Sequence, residues 1–460
     1  MVPPVTTMPA SSALRLLPAL VLALVGAALS FWLVPQEHRA VEEHLIGFPR
    51  SDPYTHRLRP IALGLLCFLP ALAALVYAWS GTLDRYLARH ALKSIGICSI
   101  ALFFVWVLTD LNDNLDDYQK AESPVAFTLK YYGVVFPYLF VLLAPFCLLL
   151  GLLYSLGKLS ASREIVAMIQ SGRGVARVIA PLTCIGVFFS TACLLFNYHL
   201  APWGDGYREA LVDSVSHGAA SQARNVLYHN PDDNRTWMVG SFPYNYNKKG
   251  AQLLDIHVTT KNDEGEIVSR FYAPIASWNI GTREWKFQSA EVLHMDTDNM
   301  PLFKTQESPL IIPDWKETPW QIVNPGLKAI NLGVPGLHSW LEQNETSEWV
   351  DRRPFLTQWH HRFAQPWICL VVVLLGAPLG IVFTRRGTAG GVAVAVFLSS
   401  MMLFCTEIFL PLGDSGYMPP IAAAWGTNIL FTMIALLLLW RRISGRPIYQ
   451  SLKPLLPSGE

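Results

Sequence analysis

Charge is the commodity this sequence has least of. Asp, Glu, Lys and Arg supply 15% of its 460 residues, while hydrophobic residues supply 52%. Soluble domains carry roughly 25% charged residues, so the deficit points to lipid. Charge of one sign is also lacking. The formal net charge of +1 provides no basic footprint for nucleic acid. Cysteine is absent from the large polar segment. Cys67, Cys98, Cys147, Cys184, Cys193, Cys369 and Cys405 all fall in apolar runs, and none has CxxC spacing. There a cysteine acts as a small buried hydrophobe, so neither a disulfide framework nor a cysteine metal site is expected.

Catalytic signatures are missing as well. The nearest string to a phosphate-binding loop, GLLYSLGKLS from Gly151, has five residues between its glycines and Leu159 where Ser or Thr is required. There is no HExxH and no GxSxG. His360 and His361 are adjacent and so point to different sides of a helix, which fits an interfacial pair better than metal ligands. Asp113, Asp116 and Asp117 have no second acidic cluster to complete a cation site, and a solvated loop accounts for them.

Long apolar runs are abundant. A helix crossing about 30 Å of hydrocarbon needs roughly 20 mostly apolar residues. Eight segments meet that need: 14–34, 60–80, 92–110, 131–157, 178–202, 363–384, 387–411 and 417–440. The first is read as a retained span, because no small-residue cleavage site follows Leu16 to Val34. Eight spans put both termini on one side. That side carries fourteen basic residues: Arg15, Arg85, Arg89, Lys93, Lys158, Arg163, Arg173, Arg177, Arg385, Arg386, Arg441, Arg442, Arg446 and Lys453. The short loops opposite carry six: Arg39, Arg50, Arg57, Arg59, Lys120 and Lys130. Both termini are therefore expected in the cytoplasm. The first outer loop, with four arginines, is the discordant one.

The segment from about 204 to 350 then lies outside and is long enough for a domain. Apolar and polar residues alternate over 235–242, 252–261, 266–274, 276–280 and 284–293, with turns at Asn262-Asp263-Glu264-Gly265 and Gly281-Thr282. This predicts an antiparallel sandwich or open jelly roll, with Trp278 and Trp285 as sheet aromatics. Within the spans the clear ionisable residue is Glu407, a functional candidate by default. It is placed near the outer interface, roughly 30 Å from Arg386 at the inner end of the same span.

One short stretch fits neither span nor linker. SREIVAMIQSGRG, residues 162–174, is amphipathic and sits between two spans. Ser160 or Ser162 can cap its start, Arg163 and Glu164 fall in the first turn, and Gly172 and Gly174 end it. Ile165, Met168 and Ile169 share one face. From the residues alone it is either a helix resting on lipid or a helix docking a cytoplasmic partner.

Residues 157–182, GKLSASREIVAMIQSGRGVARVIAPL, resemble the signature of the LptF/LptG permeases, the membrane subunits of the lipopolysaccharide-export ABC transporter. The matching positions are Glu164, Ile165, Ala167, Ser171, Gly172, Arg177 and Pro181. A second block, residues 360–387, is similar through His361, Arg362, Ala364, Pro366, Gly376, Pro378, Leu379 and Gly380. A third, FNYHLAPWG at 196–204, resembles the family's exit into the periplasm. The resemblance covers about 85 to 460.

The resemblance implies an α-helical integral membrane protein, a six-span core plus two extra N-terminal spans, with an inserted periplasmic antiparallel β-jelly roll. The implied division is 1–84 for the extra spans, 85–203 for core spans with a coupling helix at 160–175, 204–350 for the β domain, 351–442 for three core spans and 443–460 for a cytoplasmic tail. It further implies a subunit of an ATP-driven exporter of lipopolysaccharide or a similar amphipathic lipid in the bacterial inner membrane. The partners would be a second LptF/LptG-like permease, a cytoplasmic LptB-like ATPase dimer and periplasmic LptC/LptA-like bridge proteins. The chain itself would hold no cofactor, with ATP and Mg in the ATPase. The implied ATPase-coupling residues are Arg163, Glu164, Met168, Ser171, Gly172 and Arg173. Asp110, Asn114 and Glu407 are the candidates for the substrate cavity.

Two departures from the family pattern stand out. Residues 1–84 add spans that the core lacks, and TDLNDNLDDYQK at 109–120 is acidic where family members carry basic residues suited to lipid phosphates. Two rival readings come from other classes. A membrane sensor with a ligand-binding outer sandwich should carry a cytoplasmic output domain, and only about 20 residues follow Trp440. A membrane enzyme on lipid-linked substrates should show a convergent catalytic set near the interface, and none is apparent.

Overall fold

The computed structural model describes residues 10–47, 52–121, 123–217, 221–230, 233–244, 252–262, 264–279, 281–295, 301–305, 309–313, 315–345, 351–381 and 389–444. Arg50, Asp263, Arg385, Arg386, Arg446, Lys453 and most of the expected tail at 443–460 lie outside them.

Eight helical stretches among the described residues are long and apolar enough to cross a membrane. The chain opens with a helical hairpin, α1 (Ala10–Gly47) and α2 (Pro53–Trp79). Asp52 starts α2 by accepting from the amides of Tyr54 and Thr55 at 3.0 and 3.1 Å, with Pro53 at the first helical position. Next come α3 (Thr82–Lys120), α4 (Pro124–Ala161), the short α5 (Glu164–Gln170), α6 (Val175–Tyr198) and α7 (Leu200–His217). After the β domain, α10 (Arg353–Ala364) runs through a 3-10 turn into α11 (Ile368–Gly380), and α12 (Ala389–Asp414) and α13 (Pro420–Ile443) follow. At 39 residues α3 is about 58 Å long, well beyond the hydrocarbon thickness. Asp113, Asp116 and Asp117 therefore sit on its solvated last turns and not in a loop.

The spans are not equivalent. Within α4 and the α10–α11 span, 67% and 72% of the apolar stretch is buried inside the protein, against 11% and 6% in α1 and α2. The pair α4 and α11 is the axis of the bundle, and the N-terminal hairpin lies at its periphery. Close packing around α4 depends on small residues. A Cβ placed on Gly151 of α4 would lie 2.5 Å from the Ile95 Cα of α3, so the two backbones touch there. All seven cysteines are free thiols, and Cys193 and Cys369 meet at 3.8 Å between α6 and α11.

The inserted domain is an eight-stranded antiparallel sheet of order β1-β2-β3-β4-β5-β8, with β6 paired to β4 and β7 to β6. The strands are β1 (Ser221–Asn230), β2 (Arg235–Pro243), β3 (Leu253–Lys261), β4 (Ile267–Asn279), β5 (Glu284–Gln288), β6 (Glu291–Met295), β7 (Pro301–Thr305) and β8 (Leu310–Ile312). Its buried face carries Trp237, Val239, Phe242, Ile256, Phe271, Trp285 and Phe287. Two helices, α8 (Pro319–Val323) and α9 (Val334–Gln343), close this core with Trp320 and Trp340. Phe355 of α10 belongs to the same core and stacks on Trp340 at 3.3 Å.

Several expected strands are differently divided. The runs 266–274 and 276–280 are one strand, β4. The run 284–293 is two, because Ser289 adopts a left-handed φ of 52° and turns the chain. As a result β5 pairs with Ile275–Asn279 and β6 with Ser269–Tyr272, both along one edge of β4. β1, β7, β8 and the helices α7 to α9 have no counterpart among the expected elements. Trp278 and Trp285 are cross-strand partners, with Trp285 fully buried.

Polar joints tie the N-terminal hairpin to this domain. Arg59 of α2 pairs with Glu37 of α1 at 2.6 Å. His56 is hydrogen-bonded to Ser339 of α9 at 3.1 Å, His338 lies 3.6 Å from Asp52, and the Tyr198 hydroxyl donates to the Thr55 carbonyl at 2.8 Å. His44 stacks on His56 and meets Trp320 edge-on. Arg59, one of the four arginines counted in the expected first outer loop, is thus paired with Glu37 inside the protein.

A buried ion pair closes one end of the sheet. Arg235 donates twice to Glu317, at 2.7 and 2.9 Å, Asn230 adds a third donor, and Glu317 is 2% exposed. Replacing Glu317 with Ala removes the buried partner of Arg235, leaving the more exposed Asp233 at 3.5 Å, and should cost roughly 3–5 kcal/mol. Thermal unfolding of the detergent-solubilised chain, followed by tryptophan fluorescence, checks this; an unchanged midpoint rules it out.

Candidate functional site

The end of the bundle opposite the sheet is built around α5. The chain leaves α4 at Ala161 and does not break by serine capping. The Ser160 hydroxyl donates to the Gly380 carbonyl at 3.3 Å, and that of Ser162 donates back to the Lys158 and Leu159 carbonyls at 3.1 and 3.2 Å. Neither serine caps α5. Arg163 holds the N-cap position instead, with a left-handed φ of 59° and no side-chain cap. The expected start therefore moves one residue on, with Glu164 the first helical residue.

The helix ends as expected, and the geometry says why glycine is needed. The Arg173 amide donates to the Met168 carbonyl and the Gly172 amide to that of Ile169, which is a Schellman turn. It requires a positive φ at Gly172, observed at 91°. A Cβ on Gly172 would meet nothing within 4 Å, so the turn faces open space.

Ile165 and Met168 point inward and join Leu87, Leu156, Leu159 and Val178 in the bundle core, with Ile169 packed beside them. Arg163, Ala167, Gln170, Ser171 and Gly172 are exposed. Of the six residues assigned to coupling, Met168 thus lies on the inner face and Arg163, Ser171 and Gly172 on the outer.

The other two, Glu164 and Arg173, are clamps. Glu164 accepts from the Tyr86 hydroxyl at 2.6 Å, and its other oxygen lies 2.9 Å from the Ser162 hydroxyl, whose one proton it shares with the α4 carbonyls. Arg173 pairs with Asp84 at 2.5 Å, with both side chains largely covered. Tyr86 and Asp84 occupy the first turn of α3, so α5 is fastened to that helix on both sides. The Tyr86 and Ser162 hydrogen bonds hold the Glu164 carboxyl below the usual range. This contribution is complete at neutral pH and is lost only as pH falls through that lowered value. Sequence reasoning missed Tyr86 and Asp84; they lie about 80 residues from their partners, and no local pattern marks them.

Of the candidates for the substrate cavity, Asp110 and Asn114 are hydrogen-bonded to each other and Glu407 lies apart on another helix. Asp110 is buried between α3 and α4, where its carboxylate accepts from Tyr118 and Tyr131 at 2.9 Å each and from Asn114 at 3.3 Å. Asn114 also donates to the Asp110 carbonyl at 3.0 Å. Glu407 lies exposed on α12. None of the three lines the 1240 Å³ apolar cavity between α2, α3 and α6.

The motif around 360–366 is structural. Arg362 is buried and donates to the carbonyls of Leu332 and Ile330 and to the Asn197 side chain, while Asn197 donates back to the Arg362 carbonyl at 2.8 Å. His361, expected at an interface, is buried beside it. Among the described residues no group of three His, Cys, Asp or Glu side chains could hold a metal ion.

Residues 85–441 match the family described as "Lipopolysaccharide export system permease LptF/LptG". The match begins in the first turn of α3 and leaves the N-terminal hairpin outside. The chain is similar to the lipopolysaccharide export system permease protein LptF of Escherichia coli K12, 22% identical over 379 residues, covering 80% of this chain and 97% of the relative. The LptF protein of Shigella flexneri matches to the same extent.

Removing the clamps should loosen α5 without unfolding it. In Asp84→Asn combined with Tyr86→Phe, amide hydrogen exchange over residues 164–172 should rise about thirtyfold, as expected for two lost bonds of about 1 kcal/mol each. Exchange at wild-type rates would show that apolar packing alone positions the helix.

Proposed function

This chain belongs to the LptF/LptG family of lipopolysaccharide export permeases, and on that premise we propose that it is the membrane subunit of an ATP-driven exporter of lipopolysaccharide or a similar amphipathic lipid. The family is one of transport subunits and not of catalytic enzymes, and with its membrane-spanning helices it places the chain in the inner membrane.

The observation that carries the reading is the construction of α5. Its apolar face is committed to the bundle, its outer face is open, and Glu164 and Arg173 fasten it to α3. A force on the outer face from a cytoplasmic ATPase dimer of the LptB kind would reach α3 directly, since two side-chain joints and a shared apolar core leave no slack. ATP and Mg would be held by that partner. A second permease-like subunit would complete the lipid cavity. The antiparallel domain would lie in the periplasm, and its sheet edges would receive LptC/LptA-like β proteins by strand addition. Both termini would lie in the cytoplasm, as the positive-inside count requires.

The clamps also determine which substitutions are informative. Glu164→Lys breaks an internal joint as well as any contact with a partner. Ala167→Trp changes only the exposed face. Co-purification in mild detergent should therefore recover an ATPase with the wild type, and Ala167→Trp should lose it while Tyr86→Phe keeps it. Failure of any ATPase to co-elute with wild type across several mild detergents, or full retention by Ala167→Trp, sinks the proposal.

A further inference from the structure

The N-terminal hairpin does more than lengthen the chain, because it walls one side of a cavity. The 1240 Å³ space lies between α2, α3 and α6, and its walls are apolar side chains such as Leu69, Leu72, Ala180 and Phe188. Along α6 it runs from Ala176 to Thr191. At 1.5 Å per residue that is about 22 Å, longer than one leaflet of a roughly 30 Å hydrocarbon core.

The cavity is charged at one end only. Arg89, Lys93 and Arg177 line it there, all three exposed. Arg89 donates to the Tyr77 hydroxyl at 3.3 Å, and none of the three has an ion-pair partner among the described residues. The single carboxylate at this end, Asp84, is already matched by Arg173. Three uncompensated cations at the mouth of an apolar slot of leaflet depth describe an amphipath with an anionic head and a long tail. A transmembrane helix would fill the slot without using the cations, and a water-soluble anion would use the cations without the slot.

We propose that this groove is a binding site for an anionic glycerophospholipid. Its phosphate would sit among Arg89, Lys93 and Arg177 and its acyl chains between α2 and α6, sealing the hairpin against the core. The inference needs the spans but not the ATPase coupling, so the two can fail separately.

The test is native mass spectrometry of the full chain released from nanodiscs holding equal amounts of phosphatidylglycerol and phosphatidylethanolamine. Wild type should retain phosphatidylglycerol selectively. The triple variant Arg89→Gln, Lys93→Gln, Arg177→Gln should retain about a hundredfold less, as three basic side chains near a lipid phosphate predict. Ala180→Trp fills the slot and should abolish retention with the cations intact. A thermal unfolding midpoint close to wild type identifies which variants are folded, and each variant reads the site independently. No retained lipid on wild type, equal retention of the zwitterionic lipid, or undiminished phosphatidylglycerol on a folded variant would overturn the proposal. So would a single-span protein or lipopolysaccharide held at this site in chain purified from native membranes.

Discussion

Taking an ion out of water costs several kcal/mol unless other groups replace the lost solvation, and this protein removes ions from water repeatedly. Arg362 is surrounded by two carbonyls and an asparagine, and Asp110 by two tyrosine hydroxyls and an asparagine. Glu317 has Arg235 and Asn230, and Arg59 has Glu37. The replacement groups come mostly from other elements, so each charge becomes a joint. Arg362 binds α10 to the end of α6 and to the segment before α9. Glu317 ties the stretch before α8 to β1 and β2. Apolar packing brings these elements together without much direction, and the charges specify how they meet.

The same logic operates at the α5 end in a wetter setting. Ile165 and Met168 provide the attachment, and the two clamps set its position against α3. Glu164–Tyr86 is too exposed to add much stability, and Arg173–Asp84, though largely covered, adds about 1 kcal/mol. Their value is geometric, because they remove the freedom with which a seven-residue helix would otherwise slide on its apolar face. Glycine at 172 serves the same purpose by permitting the tight exit into α6.

The N-terminal hairpin shows how an addition can be fitted to an existing core. It lies outside the family match, and little of it is buried. It is nonetheless fixed at one end by His56, Asp52 and Thr55 against α9 and α6. Toward the other end α2 runs directly into α3 and Tyr77 meets Arg89, and the apolar cavity lies between α2, α3 and α6.

The sequence by itself determined the eight spans, the sheet-forming segment, the position of α5 and the family. Each depends on a local signal: twenty apolar residues, a period of two, an amphipathic turn closed by glycine, or a contiguous motif. Each expected run overlaps one helical stretch for that reason, while α1 and α3 extend about ten residues or more past the apolar run that marked them. Only the tertiary structure decided what the polar residues do, because their partners are distant in the chain. Ser162 bonds back to α4 instead of capping α5, Met168 faces the core, and Asp110 is held by two tyrosines. His56 finds Ser339, and Glu164 finds Tyr86. The division of 284–293 into two strands was equally hidden, since it turns on the backbone at Ser289 and on two partners sharing one edge of β4. A hydrogen bond or ion pair acts over about 3 Å, and which groups come that close is set by the packing of helices and sheet, not by spacing along the chain.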